Sequence, residues 1–290
     1  MNAGSRLPGI PNPTFWWTGH GNVQLAGDVF GDANGASVVL LHGAGQTRHA
    51  WRGVGERLAS AGYRVITFDA RGHGDSEWDR AGDYDLASMV QDLRCVLDAL
   101  GVHRPALVGA SMGGLASLFA IGNQIVDACA LVLVDVVPTV NDEGRENVKT
   151  FMSQNPQGFA TLEEVADAIA TYQPHRKRPR TLDGLAKNVR LGSNGRYYWH
   201  WDPRIGEQTE AMPQRERALR ACAANLIAPT LLVRGALSDI VNDAGAQEFL
   251  QLCAHSEYVN VADAAHMVAG DRNDIFGDAL IAFLDRVSHR

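Results

Sequence analysis

Short apolar runs rich in β-branched residues alternate, along the first half of the chain, with longer stretches of helical spacing. Val38–Leu41, Tyr63–Phe68, Ala106–Gly109 and Ala130–Val134 are the runs; amphipathic segments extend to Ala61, from about Leu86 to Leu100, and to about Gly122. Parallel strands need a crossover long enough to hold a helix, so this rhythm predicts βαβ units. Near-continuous apolar strands also predict a sheet covered by helices on both faces. The rhythm breaks after Pro138. From about Asn141 to Leu226 only helical patterns recur, over Glu143–Asn155, Leu162–Tyr172 and Glu207–Ala224, with an aromatic patch at Tyr197-Tyr198-Trp199-His200-Trp201. Strand and helix then alternate again through Pro229–Arg234, Ala244–Cys253, Glu257–Val261 and Ile275–Val287. This pattern predicts an α/β core from residues 1–138 and 226–290, interrupted by a helical cap at residues 139–225.

With 290 residues, 46% hydrophobic and 20% charged, the chain has room for one large α/β domain with an inserted lid, or for two small domains. Its net charge of -7 offers no electrostatic reason to expect nucleic acid or an anionic membrane as partner. The expected partner is a small-molecule substrate, with the chain a monomer or homodimer. Cys95, Cys129, Cys222 and Cys253 form no CxxC pair and sit in apolar stretches, which fits buried thiols in a reducing compartment. No signal-peptide pattern opens the sequence and no apolar run has membrane-spanning length, so the expected location is cytoplasmic. The basic run His175-Arg176-Lys177-Arg178-Pro179-Arg180 reads as a solvated lid loop, with anion steering as the rival reading.

Gly109-Ala110-Ser111-Met112-Gly113-Gly114 follows the run Ala106-Leu107-Val108 and opens the helix beginning at Leu115. This is G-x-S-x-G in the strand–turn–helix setting that gives the pattern its mechanical meaning. A serine in so sharp a turn is strained and exposed at the C-terminal edge of the sheet, in front of free helix N–H groups. Its hydroxyl needs a base. In such sites the chain order is serine, acid, histidine. His266 lies in the loop after the last strand run and is the candidate base; His255 is beside a helix end and His289 at the terminus. Asp239, in the loop after Thr230–Arg234, is the candidate acid, with Asp135, directly after Val134, as its rival; Asp243 reads as a helix cap. The oxyanion needs two donors, for which the backbone N–H groups of Met112 and Ala44 are candidates. His42 reads as a scaffold residue of the loop His42-Gly43-Ala44-Gly45-Gln46, and Asp69 with Arg71 as a structural ion pair. Gln46, Trp51, Trp199 and Trp201, with Phe151, Met152 and Tyr172, are candidates for the pocket wall or for packing within the lid. No cluster suggests a metal or an organic cofactor.

At His42–Gly45, Asp69–Ser76, Gly109–Gly114, Asp239 and His266 the chain resembles the α/β-hydrolase superfamily, in its serine-nucleophile bacterial branch of esterases and cofactor-free haloperoxidases. The resemblance spans about residues 20–287. It implies an α/β-hydrolase fold, a mostly parallel sheet flanked by helices with a helical cap inserted after the sixth strand. It implies Ser111 as nucleophile, Asp239 as acid, His266 as base and the Ala44 and Met112 amides as oxyanion donors. The reaction it implies is cleavage of an ester or lactone with a small to medium apolar acyl group. C–C bond hydrolysis of a vinylogous diketone, perhydrolysis and a receptor role remain as alternatives. Dehalogenases and epoxide hydrolases of this fold carry an aspartate nucleophile, where this chain has Ser111.

Overall fold

Five residues of alternating facing are enough to fill both sides of a covered sheet, and the central strands show how. In this computed structural model, which describes residues 4–174, 182–207, 212–271 and 273–288, the chain opens with β1 (Phe15–Thr18) and β2 (Gln24–Gly31). It continues through β3 (Ser37–Leu41), α1 (Arg52–Ser60), β4 (Arg64–Phe68), α2 (Leu86–Leu100), β5 (Ala106–Ala110), α3 (Met112–Gly122) and β6 (Ala130–Val134). The insertion holds α4 (Asp142–Ser153), α5 (Leu162–Tyr172), β7 (Val189–Leu191) and β8 (Tyr197–Trp199). The chain closes with α6 (Met212–Ala224), β9 (Thr230–Gly235), α7 (Asp243–Leu252), β10 (Glu257–Val261), α8 (Val268–Asp271) and α9 (Asn273–Ser288).

The main sheet has the order β1-β2-β4-β3-β5-β6-β9-β10; β2 runs antiparallel to both β1 and β4, and the remaining neighbours are parallel. Leu41, Phe68, Leu107, Leu131, Leu133 and Leu232 face α2, α3, α6 and α7 in one core. Val38, Leu40, Val108, Val132, Val134 and Val233 face α1 and α9 in the other. Successive strand residues thus serve opposite layers, which is why the runs are apolar without a gap. Burial of both faces is the main stabilising contribution. The antiparallel pair β1–β2 adds a segment that carries no continuous apolar run, since β2 mixes Gln24, Gly27 and Asp28 with Leu25 and Val29.

Two expectations for the insertion need correction. It is not purely helical: β7 and β8 form an antiparallel hairpin in which Val189 pairs with Trp199. Each strand has three residues, too few to establish a period of two. Its C-terminal limit also moves, because α6 packs on α3 and places Leu219, Cys222 and Ala223 in the main core. A Cβ on Gly122 of α3 would lie 2.4 Å from that of Cys222, so the two helices meet in near-backbone contact. The rest of the insertion has its own core, built from Met152, Phe159, Val165, Val189, Trp199 and Trp201. The basic run His175–Arg180 lies outside the described residues. No described helix is long and apolar enough to cross a membrane.

Candidate active site

Strand register brings the chemistry-bearing loops to one edge. Ala110 pairs with Val134 and Val134 with Val233, so Ser111 and Asp135 leave adjacent strands side by side. Ser111 N–H bonds Val134 O at 3.2 Å and Asp135 N–H bonds Val233 O at 2.7 Å, carrying the ladder one step past the strands. Ser111 has φ 47°, ψ -116°, a strained conformation for a residue with a side chain. The turn closes because nothing larger than hydrogen stands at Gly109 and Gly113. A Cβ on Gly109 would lie 2.4 Å from Gly113 O, and one on Gly113 would lie 2.4 Å from Leu41 O.

His266 is tied to Asp135, not to Asp239. Its Nδ1–H donates to Asp135 Oδ2 at 2.7 Å, which leaves Nε2 as the lone-pair nitrogen. Asp135 is wholly buried, with φ 50°, and also accepts from Gly235 N–H at 2.9 Å and from the Ser238 hydroxyl at 2.5 Å. Asp239 is exposed and accepts from Asn147 Nδ2 of α4 at 3.2 Å. Burial raises the Tyr172 phenol above its usual range, and the charge of Asp239 raises it further, which sets Asp239 towards the insertion. The expectation of an Asp239–His266 pair therefore fails on direction: both loops start at the same sheet edge, but Ser238 and Asp239 point opposite ways. A signal for Asp135 was present, since it follows the buried run Ala-Leu-Val-Leu-Val just as Ser111 follows its own strand. Asp243 pairs with Arg234 at 2.6 Å, and the cap of α7 is Asn242.

The loop after β3 is held by imidazoles. His42 Nδ1–H donates to Gly43 O at 2.8 Å and Nε2 accepts from Ala70 N–H at 2.9 Å. His73 Nε2 accepts from Gly45 N–H at 3.2 Å, and His200, from the insertion, meets Gly45 O through Nε2 at 3.3 Å and Gly74 N–H through Nδ1 at 2.8 Å. Gln46 Oε1 accepts from Gly43 N–H at 3.1 Å. So held, the loop leaves Ala44 N–H without an acceptor among the described residues, and the same is true of Met112 N–H at the start of α3. Asp69 and Arg71 do not pair with each other. Arg48 bonds Asp69 at 2.5 Å and Asp75 at 2.9 Å, while Arg71 bonds Asp92 through two nitrogens at 2.7 and 2.9 Å. Burial alone would raise the Asp69 carboxyl, but the Arg48 guanidinium, His42 and the backbone N–H donors of Asp75 and Arg48 together outweigh it and hold the carboxyl below its usual range.

These histidines predict an acid-sensitive fold. Burial keeps His42 and His200 neutral below the usual imidazole range and lowers His73 to about 3, with a neighbouring histidine adding to the shift in His73 and His200. In the unfolded chain each would take a proton near pH ~6.5. Between those values the unfolded state binds more protons, so stability is full above pH ~6.5 and falls as pH drops. His73 alone should cost about 2 kcal/mol between pH 7 and pH 5, and His42 and His200 act in the same direction. Calorimetric Tm measured from pH 8 to pH 5 should fall; a flat Tm would contradict the neutral assignment.

Two cavities meet at Ser111. One, of about 230 Å³, is lined by Ser111, His266, Gln46, Trp51, Trp199 and Trp201, together with Phe151 and Tyr172. Trp199 stacks on Trp201 with ring centroids 4.8 Å apart, and Phe151 on Tyr172 at 4.2 Å. The insertion's aromatic residues therefore serve both as its core and as a wall. The other cavity, about 400 Å³, is lined by Ser111, Met112, Leu115, Val136, Val140 and Met152, with Arg145, Lys149 and Glu216 also at its border. Ala44 borders both. Among the described residues no group of three or more His, Cys, Asp or Glu side chains is placed to hold a metal ion.

A family model described as alpha/beta hydrolase fold matches residues 36–272. An esterase of Mycobacterium tuberculosis is 28% identical over 247 residues, covering 81% of this chain and 78% of its own. An sn-1-specific diacylglycerol lipase of Mus musculus is 25% identical over 268 residues, covering 88% and 82%. The crystal structure of an alpha/beta hydrolase from Novosphingobium aromaticivorans superposes with a TM-score of 0.80 at 26% identity, over 94% of this chain and 98% of that one.

Proposed function

This chain belongs to the alpha/beta hydrolase fold family, and on that premise we propose that it is a serine carboxylic-ester hydrolase acting through Ser111, His266 and Asp135. One observation carries the reading. A strained serine and a histidine locked by a buried carboxylate border the same cavity, next to two backbone N–H groups free to receive an anion. Ser111 Oγ attacks the ester carbonyl while His266 Nε2 takes its proton. The carbonyl oxygen becomes an oxyanion held by Ala44 and Met112 N–H. As the tetrahedral intermediate collapses, the ester C–O bond breaks and the alkoxide leaves with the proton from His266. Water then gives a proton to His266 and adds to the acyl-enzyme, and the proton returns to Ser111 as the acid departs. Asp135 holds the imidazole in the required tautomer and stabilises its cationic form.

The two cavities divide the substrate. A leaving group that receives its proton from His266 belongs on the His266 side, in the smaller, aromatic-walled cavity. The acyl chain then occupies the larger one, against Leu115, Val136 and Val140. An apolar acyl group of small to medium length fits that wall. The similarity to an esterase and to a lipase supports ester cleavage as the reaction.

The test is hydrolysis of p-nitrophenyl esters from acetate to decanoate. While methylenes are being buried, kcat/KM should rise about fourfold for each, from ~0.8 kcal/mol per CH₂, and level off once the cavity is full. No turnover of any ester by folded protein would defeat the reading. A preference for charged acyl groups would defeat the assignment of the larger cavity.

A further inference from the structure

The loop after β9 has lost its expected contact with His266 but not its connection to the triad. Ser238 Oγ receives Ile240 N–H and Val241 N–H, both at 3.1 Å, and lies 2.5 Å from Asp135 Oδ2. A hydroxyl has one proton, and two of its three neighbours are donors. Its proton therefore has one acceptor left, the carboxylate of Asp135. Asp135 Oδ2 thus takes two donors, Ser238 O–H and His266 Nδ1–H, while Oδ1 takes Gly235 N–H. The Gly235 and Ser238 bonds fix the plane of the carboxylate, and the carboxylate in turn fixes the ring.

We propose that Ser238 is a positioning residue for ester hydrolysis, its hydroxyl proton holding the Asp135 carboxylate in the orientation that receives His266 Nδ1–H. This rests on the reading of Ser111, His266 and Asp135 as the catalytic set. Ser238 stands immediately before Asp239, whose carboxylate turns to Asn147 of α4. Two adjacent residues of one loop therefore have separate tasks, one at the acid and one at the insertion.

Ser238→Ala removes the donor and also leaves two backbone N–H groups without their acceptor, so a loss of Tm alone would not distinguish positioning from structure. The pH profile does. With one donor fewer, the Asp135 charge is less neutralised by hydrogen bonding and attracts the imidazolium more strongly. The acid limb of kcat/KM should therefore move to higher pH, with kcat at the optimum falling roughly tenfold and KM unchanged, as for loss of one charge-assisted hydrogen bond. Ser238→Thr, which keeps the hydroxyl, should restore both. The low-field proton resonance of His266 Nδ1–H, identified by its absence in His266→Ala, gives a readout independent of turnover. It should shift in Ser238→Ala and return in Ser238→Thr. If the wild type cleaves no ester, the functional reading fails and the resonance alone decides the positioning role. An acid limb and a resonance unmoved in folded Ser238→Ala would overturn the proposal.

Discussion

Asp135→Asn will lower kcat about 10⁴-fold, while Asp239→Asn will leave it within about threefold. The size follows from the hydrogen-bond directions around the carboxylate. Gly235 N–H donates to one oxygen, and Ser238 O–H and His266 Nδ1–H donate to the other. An asparagine amide has one accepting end. Turned one way, its NH₂ meets Gly235 N–H; turned the other, it meets Ser238 and His266. The second arrangement is relieved when His266 moves its proton to Nε2, which removes the base. The first loses the Gly235 bond and the negative charge that stabilises the imidazolium. Neither keeps the site working. Among the described residues the Asp239 carboxylate bonds only Asn147, at the surface, and a neutral amide in its place can make the same contact. Parallel kcat measurements on a p-nitrophenyl ester, with circular dichroism to show both variants folded, decide the matter. Equal activity in Asp135→Asn and the large loss in Asp239→Asn would mean that the loop after β9 supplies the acid during turnover.

Ser111→Ala will lose about 10⁶-fold in kcat, leaving only the rate that binding and the oxyanion donors supply. Stability separates this from damage to the fold. Alanine at φ 47° is as strained as serine, so Tm should stay within about 1 °C. Ser111→Gly should also be inactive yet more stable, by about 1 kcal/mol, because glycine tolerates this backbone region. Activity in either variant would remove Ser111 as nucleophile. A Tm lowered in Ser111→Gly would mean that the turn is not a store of strain.

Local pattern placed several residues of the candidate site, but the pairing of His266 with Asp239 that it suggested is not the one the fold makes. The elbow at Gly109–Gly113 was legible because glycine spacing after a buried strand is a backbone requirement, met by neighbours in sequence. His266 was legible from its place after the last strand. Asp69 and Arg71 looked like partners because they are two residues apart. In the fold Asp69 bonds Arg48 and Arg71 bonds Asp92, residues 21 positions away in each case. His73 and His200 lie in segments the sequence singled out, but their roles, like that of Ser238, carried no recognisable signal. Their partners are single backbone or side-chain groups on other elements, and one serine or histidine in a loop resembles any other.

The sequence by itself determined the layered α/β sheet, the strained serine turn at its edge, the histidine loop opposite and the place where the insertion interrupts the sheet. These depend on the period of apolar residues and on glycines where backbone meets backbone, properties of contiguous segments. Tertiary structure decided which aspartate meets His266. Register puts Val134 beside Val233, so the loops after β6 and β9 compete for the same imidazole at one sheet edge. The outcome depends on side-chain direction: Asp135 at φ 50° turns inward, and Ser238, not Asp239, closes on it. It also decided that α6 belongs to the core and that the aromatic residues of the insertion wall a cavity. Contacts between segments distant in sequence are chosen by packing of the whole, and no window along the chain contains both partners.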